Sequence, residues 1–215
     1  MNTLYKDLIY LLSCAVNGIT PDTAKVQAMD LERLYRLAKL HTVRAAVCIA
    51  LKRAGVHDKQ FDQAYKKAVR KNIYLDMERT AILSDFEKQG IWYMPLKGSV
   101  LKELYSANGM REMADNDVLY DSTKQSEVKR IMLSMGYSAE SVGKTHHDVY
   151  MKPPVLNFEL HTLLFGAASD FYAYYQNPKR LMIPDEGSKY GYHFSDEDFY
   201  VCLLYTSPSP RDTER

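Results

Sequence analysis

The sequence predicts an α+β fold in which an N-terminal helical unit precedes an α/β region built on a small mixed sheet. Two observations support this class. Apolar residues recur at helical spacing through the first ninety residues, and from Gly90 onward short β-rich runs alternate with helical patterns. We therefore place a helical region at residues 1–89 and an α/β region at residues 90–201.

The N-terminal region divides into four helical segments. The first begins near the N-terminus, and the second follows Asp30, a residue type that commonly caps helices. The third covers His41–Ala54 and ends at Gly55, because glycine readily adopts the backbone conformation that terminates a helix. The fourth covers Asp58–Gln89 and ends at Gly90. We expect these segments to pack as an up-and-down helical unit.

The second half of the chain alternates strand and helix patterns. A β-rich run at 91–94 is closed by Pro95, and a short helix is expected at 100–105. A strand at 117–120 precedes a helix that is capped by Ser122 or Thr123 and stops at Gly136. Three further strands are expected at 137–142, 148–152 and 156–161. The Pro153–Pro154 pair predicts a turn that makes the last two a hairpin.

The composition argues against a membrane or DNA partner. The 28 basic and 27 acidic residues give a formal net charge of +1, which provides no global attraction to nucleic acid or anionic lipid. No apolar run approaches the ~20 residues that a membrane span needs, and no signal peptide is evident. The three cysteines have neither metal-site nor disulfide-framework spacing. We therefore expect a cytoplasmic protein.

Lys97, Gly98 and Ser99 form the first candidate functional element, a turn between a predicted strand and a predicted helix. Glycine lets the backbone approach a phosphate closely, and the free N–H groups at a helix start favour anions. The Lys97 ammonium would add a positive charge. The same tripeptide is also compatible with an ordinary turn.

Asp115 and Asp117 form the second candidate element, at the entry to the strand predicted at 117–120. Residues two apart on a strand point to the same face, so both carboxylates can converge on one cation. Mg²⁺ prefers such hard oxygen ligands. The alternative is a polar turn before a strand, where aspartate is common.

Glu159 is the third candidate, since it interrupts an otherwise apolar strand between Phe158 and Leu160. Two hard cations ~3.5–4 Å apart can be held by an acidic pair and a third carboxylate from a neighbouring strand. The alternative is an edge strand with Glu159 facing water. His161 shares the face of Glu159 and could orient a ligand or serve in packing.

His146 and His147 could ligate a metal ion or act as a base. No cysteine or acidic partner stands at ligand spacing from them. We therefore expect a solvated pair of histidines in a loop.

Four pieces in order resemble the uncharacterised nucleotidyltransferase family of bacteria. They are Met94–Ser99, Leu104–Tyr105, Arg111–Leu119 and Phe158–His161. The family pattern runs roughly Leu-Lys-Gly, then Leu and Tyr, then Arg-x-Met-x-Asp-x-Asp-x-Leu, and later Glu-Leu-His. Asn116 departs from it at a usually apolar position, with its side chain expected to point away from the metals. The resemblance covers residues 90–201 and implies a DNA-polymerase-β-like nucleotidyltransferase domain there.

The resemblance also implies a reaction and its partners. An NMP would pass from an NTP substrate to a hydroxyl of an acceptor, with release of pyrophosphate, in a reaction that depends on two Mg²⁺ or Mn²⁺ ions. The acceptor could be a protein, a small molecule or RNA. The alternative is a catalytically idle relative, a nucleotide-binding or interaction module of the toxin–antitoxin or biosynthetic-accessory type.

Site residues follow from the same resemblance. The catalytic and metal-binding carboxylates would be Asp115, Asp117 and Glu159. Gly98 and Ser99 would contact phosphate. We add Lys97 and Arg111 as candidates for neutralising the charge that develops on the phosphates.

The C-terminal segment Cys202–Asp212 resembles a translated sequencing adapter rather than a protein sequence. It contains two Ser-Pro steps directly after an apolar stretch, and proline disfavours helix in the residue before it. We therefore expect residues 202–215 to be a non-native tail on a chain truncated after Val201. A genuine flexible tail is the competing interpretation.

Overall fold

The computed structural model of the chain describes residues 3–206, which divide into two compact units. The first unit comprises the chain through Tyr74 together with Leu101–Met113, and we call it the helical unit. The second comprises Leu75–Val100 and the chain from Ala114 onward, and we call it the sheet unit. This division differs from the boundary at residues 89 and 90 that the sequence suggested.

The helical unit is built from successive helices joined by short turns. They are α1 (Thr3–Val16), α2 (Thr23–Gln27), α3 (Leu31–Leu40), α4 (Arg44–Arg53) and the first part of α5 (Lys59–Gln89). The predicted cap is confirmed, since the Asp30 side chain accepts a hydrogen bond from the Arg33 N–H at 3.0 Å. The short helix α2 was not predicted. Its cap is Asp22, which accepts from the Lys25 N–H.

The core of the helical unit consists of the apolar faces of these helices. Leu11, Leu34, Val47 and Phe61 are fully buried in it. Met110 packs into the same core. Residues 101–113 therefore join the helical unit, although they follow the first strand of the sheet unit in the chain.

The sheet unit contains a five-stranded mixed sheet, as predicted. Its strands are β1 (Tyr93–Leu96), β2 (Asn116–Tyr120), β3 (Ser138–Ser141), β4 (His147–Lys152) and β5 (Leu156–His161). Their order is β1-β2-β5-β4-β3, with β2 parallel to β5 and all other neighbours antiparallel. The expected β4–β5 hairpin is confirmed. A separate two-stranded sheet pairs β6 (Ile183–Pro184) with β7 (Tyr192–His193).

Pro95 lies inside β1 instead of closing it, which corrects the expectation that the strand ends at residue 94. Because β1 is at the end of the strand order, it is an edge strand of this sheet. Edge strands tolerate proline, since the missing N–H can fall on the side without a partner strand.

The remaining helices of the sheet unit are short apart from the C-terminal part of α5. They are α6 (Gly98–Leu101), α7 (Gln125–Ser134), α8 (Tyr172–Tyr175) and α9 (Asp196–Thr206). The helix expected at 100–105 is replaced by α6 and a 3₁₀ turn at 102–104. The expected cap of α7 is also wrong. Asp121 instead accepts from the Thr123 N–H and caps a 3₁₀ turn, after which α7 begins.

The two faces of the large sheet have different neighbours. On one face Tyr120 packs against Phe86 of α5, with ring centroids 6.3 Å apart. On the other, buried residues of β1 and β2 pack with Phe165 and Phe194. Cys202 of α9 is fully buried in this second cluster.

The segment expected to be a non-native tail lies partly within the described residues. Its first five residues complete α9, and residues 207–215 lie outside the described part of the chain. Among the described helices, none has the length and hydropathy that crossing a membrane requires.

Candidate active site

The register of two parallel strands brings together Asp117 and Glu159. Asp117 of β2 stands opposite Glu159 of β5, and alternation along β5 puts His161 on the same face as Glu159. One potential ligand atom from each of these three residues lies within 4.8 Å of the other two. The predicted convergence of carboxylates from neighbouring strands is therefore present for this pair.

Asp117 is buried and held by two nitrogen-bearing side chains. The Lys97 ammonium donates to Asp117 Oδ1 at 2.7 Å, and His161 Nε2 lies 2.9 Å from the same oxygen. Burial alone would raise the pKa of Asp117, but the hydrogen bond from His161 and the charge of Lys97 outweigh it and lower that pKa. Asp117 is therefore an ionised carboxylate at neutral pH.

Lys97 reaches Asp117 from a turn with an uncommon backbone conformation. Its φ of 48° lies in the left-handed region, which a residue with a Cβ rarely adopts. The Ser99 hydroxyl donates to the Leu96 carbonyl at 2.7 Å, and the Val100 N–H donates to the Lys97 carbonyl. Ser99 is buried, so its side chain braces the turn between β1 and α6.

Glu159 has an environment that opposes its ionisation. Burial is the largest factor that raises its pKa, followed by the charges of Asp117 and Asp115, while Lys97 and His147 offset them only in part. Asp115 directly precedes β2 and is half-buried, although it is not a member of the 4.8 Å group. The carboxylates of Asp115 and Asp117 thus repel that of Glu159. The positive charge nearby is too small to return the pKa of Glu159 to its usual range.

Asn116 lies between the two aspartates and points to the opposite face of the sheet. Its amide nitrogen donates to the Leu75 carbonyl of α5 at 3.0 Å, and its amide oxygen accepts from Arg79 at 2.9 Å. The expectation that this side chain points away from the carboxylates is confirmed. Asn116 instead attaches β2 to α5.

Arg111 belongs to the helical unit. It lines a cavity of about 370 Å³ in that unit, beside Glu112 and Tyr105. Its carbonyl accepts from Asn72, and its Nε is buried without a hydrogen-bond partner among the described residues. The role of Arg111 in phosphate binding stays a prediction, as do those of Gly98 and the other predicted site residues.

His147 belongs to a strand and not to a solvated loop, which corrects the sequence interpretation for this residue, whereas His146 lies in the loop before β4. His147 is the first residue of β4 and stands opposite His161 in the β4–β5 register. The three histidines offer nitrogen atoms within 4.8 Å of one another. The sequence contained a signal for part of this grouping. Counting back along both strands from the Pro153–Pro154 turn places His147 opposite His161.

Oxygen and nitrogen donors thus occupy adjoining parts of one sheet face. The oxygen donors are carboxylates, which hard divalent cations prefer, whereas the imidazole rings suit transition metals. The negative charge around Glu159 fits a cation, because a bound cation would offset the repulsion that, after burial, raises the pKa of Glu159.

Comparison with known proteins identifies the family of the chain. A family model described as an uncharacterised nucleotidyltransferase matches residues 27–205. Neither the search of curated proteins nor the search of solved structures found a match. The match covers most of the chain and includes Lys97, Asp117 and Glu159. The chain therefore belongs to the uncharacterised nucleotidyltransferase family.

Proposed function

We propose that this protein transfers an NMP from an NTP to a hydroxyl of an acceptor in a reaction that requires two Mg²⁺ or Mn²⁺ ions. The observation that carries the proposal is the pairing of Asp117 with Glu159 on adjacent parallel strands. The unfavourable ionisation of Glu159 beside Asp117 and Asp115 supports it, since carboxylates that repel one another form a suitable cation site.

Asp115, Asp117 and Glu159 are the residues proposed to hold the ions. Bound Mg²⁺ would neutralise charge on the triphosphate and help orient the reacting oxygen atoms. The carboxylates can meet this role only while ionised. Lys97 and His161 favour the ionised form of Asp117, which supports its assignment as a principal ligand.

Lys97 and the turn that follows it are proposed to bind the phosphates. The Lys97 ammonium contacts the Asp117 carboxylate, so a negatively charged phosphate close to that carboxylate would also lie near a positive charge. Gly98 has no side chain to obstruct a phosphate. The Ser99 hydroxyl already donates to Leu96, so we assign any contact of Ser99 with phosphate to its backbone. Arg111 is proposed as an additional positive charge.

The bond changes define the reaction class. The acceptor hydroxyl oxygen forms a bond to the α-phosphorus as the bond from that phosphorus to the bridging oxygen of the β-phosphate breaks. The hydroxyl proton is lost and pyrophosphate leaves. The proposed acceptor hydroxyl belongs to a protein, a small molecule or RNA.

The first test is thermal unfolding of the protein with Mg²⁺ and each NTP, with Mg²⁺ alone and with each NTP alone. A ligand at ~100 times its Kd stabilises the folded state by roughly 2.7 kcal/mol. We expect a Mg²⁺-dependent rise in Tm for the wild type and none for Asp117→Asn. The matched control is Asp170→Asn, which changes an exposed aspartate of the sheet unit and should respond like the wild type.

The second test separates transfer from binding. Protein, RNA and small-molecule fractions are incubated with NTP labelled on the α-phosphate or on the γ-phosphate. Transfer of the α-label alone supports nucleotidyl transfer, and transfer of the γ-label contradicts it. Mg²⁺-dependent NTP binding without transfer to any fraction favours the catalytically idle alternative. Equal NTP binding by wild type and Asp117→Asn refutes the proposed metal site.

A further inference from the structure

Three histidines gather at one end of the β4–β5 hairpin. His147 stands opposite His161 in the antiparallel register, which places the two rings on the same face. The backbone of His146 is fixed beside them, because its carbonyl accepts from the N–H groups of Thr162 and Leu163 at 2.9 and 3.3 Å. The three side chains are therefore held together by the strand pairing.

The ring geometry brings the nitrogens close to coordination distance. Ring centroids are 4.8 Å apart for His146 and His147, 5.3 Å for His147 and His161, and 6.2 Å for His146 and His161. One nitrogen from each ring lies within 4.8 Å of the others. Tetrahedral zinc, with bonds of about 2.0–2.1 Å, needs nitrogen atoms about 3.3 Å apart. Metal binding would therefore draw together, by side-chain rotation, any nitrogens that lie farther apart than this distance.

Two of the three rings have surroundings that suit metal ligation. His147 Nδ1 is buried and has no hydrogen-bond partner among the described residues. Such an atom is costly to leave unpaired, and a metal ion would pair with it. His161 already contacts the Asp117 carboxylate through Nε2. Metal-bound histidines commonly use one ring nitrogen in this way while the other binds the metal.

The ligand type determines the class of ion. Imidazole suits zinc and neighbouring transition metals, whereas Mg²⁺ prefers oxygen ligands. Three histidines with one position left for water or another ligand form a donor set known for zinc. We propose that His146, His147 and His161 bind one divalent ion of the zinc class. This site differs from the carboxylate site of Asp117 and Glu159, and its occupancy does not depend on nucleotidyl transfer.

The test uses Zn²⁺ and Co²⁺ as probes on the full chain. Zn²⁺ affinity is measured by competition with a chelating dye, and the visible spectrum of bound Co²⁺ reports the coordination geometry. We expect one Zn²⁺ per chain in the presence of excess Mg²⁺. His146→Gln and His147→Gln should each weaken Zn²⁺ binding at least about tenfold, since loss of a partner that only orients a ligand already costs that much.

Two comparisons separate ligation from a structural role. His57→Gln alters an exposed histidine of the helical unit and should bind Zn²⁺ like the wild type. His147→Cys should retain Zn²⁺ because thiolate is also a zinc ligand, and its Co²⁺ spectrum should gain sulfur-to-metal absorption. Thermal unfolding without added metal establishes that each variant is folded.

Two results would overturn the proposal. One is the absence of stoichiometric Zn²⁺ binding by the folded wild type. The other is wild-type affinity in both His146→Gln and His147→Gln together with loss of Zn²⁺ binding in Glu159→Gln. The second result would assign the ion to the carboxylates.

Discussion

Glu112 in the helical unit and Glu159 in the sheet unit are both largely shielded from water, but their surroundings are opposite. Glu112 accepts from the Arg44 guanidinium at 3.0 Å through one oxygen and from the Ala45 N–H at 3.2 Å through the other. The pKa of Glu159 is instead raised, chiefly by burial and then by the charges of the neighbouring carboxylates. The first carboxylate is paired within the fold, whereas the second is suited to an added cation.

This difference distinguishes a carboxylate that is paired within the fold from one that is proposed to bind a cation. When a buried charge is already paired, removing one partner destabilises the folded state because the other charge is left uncompensated. A buried charge without such a partner destabilises the folded state. Binding of an oppositely charged ligand offsets that cost. Sites of function often retain such unfavourable arrangements at some cost in stability.

The largest effect on stability is expected for Glu112→Ala. The variant leaves Arg44 without its partner and removes the acceptor for the first turn of α4, where Val43 provides no side-chain cap. We expect the free energy of unfolding to fall by about 3 kcal/mol, as measured by urea denaturation. Glu32→Ala, which removes an exposed pair with Arg36, is the control and should change stability little. A similar loss in both variants would contradict the comparison.

A smaller loss is expected for Glu87→Gln. This carboxylate shares the sheet unit with Glu159 but accepts hydrogen bonds from Ser188, Tyr93 and Tyr190. The bond from Ser188 is the main cause of its lowered pKa. At pH 7 we expect a loss of about 1.5 kcal/mol from this substitution, the usual scale for hydrogen bonds to a charged group.

The pH dependence of the Glu87 effect has a definite sign. Because the pKa of Glu87 is lower in the folded state, the ionised carboxylate stabilises the fold at pH values above the ordinary carboxyl pKa of about 4.3. This stabilisation is lost as the pH falls through the pKa of Glu87 in the folded state. The stability difference between wild type and Glu87→Gln should therefore narrow in acid. Urea unfolding at a series of pH values measures it. A difference that widens in acid would contradict the assignment.

The smallest effect has the opposite sign. Glu159→Gln removes a charge that burial, Asp117 and Asp115 disfavour, so the free energy of unfolding at pH 7 should rise by about 1 kcal/mol. The same variant should lose the Mg²⁺-dependent stabilisation by NTP. Thermal and urea unfolding with and without Mg²⁺–NTP measure both effects. Lower stability in the absence of ligand would show that Glu159 is a structural carboxylate like Glu112.

The sequence predicted the parts of the site that depend on local patterns. Strand alternation and family motifs indicated Asp117 and Glu159, and the Pro153–Pro154 turn indicated the β4–β5 hairpin. The position of His147 opposite His161 was missed because the strand was expected to begin at residue 148, one residue after His147. Counting back from the turn gives this pairing once the strand is extended by that residue.

The unit to which each segment belongs was harder to predict from the sequence than the secondary structure of that segment. The helix α5 has one continuous periodic pattern, although Leu75 begins the part assigned to the sheet unit. Residues 101–113 return to the helical unit because Met110 is buried in its core, a contact that no local period reveals. Arg111 is next to Met110 in this returning segment, so the neighbouring strand pattern gave no indication of its environment.

Pro95 has a consequence for how separate copies of this protein meet. The Tyr93 N–H points away from β2 and donates to the Tyr190 carbonyl. Since donors alternate between the two sides of a strand, residue 95 faces the same outer side, where proline offers no N–H. The outer edge of β1 therefore presents no free donor at these two positions to an incoming strand. Such an edge resists the strand-to-strand association that starts aggregation.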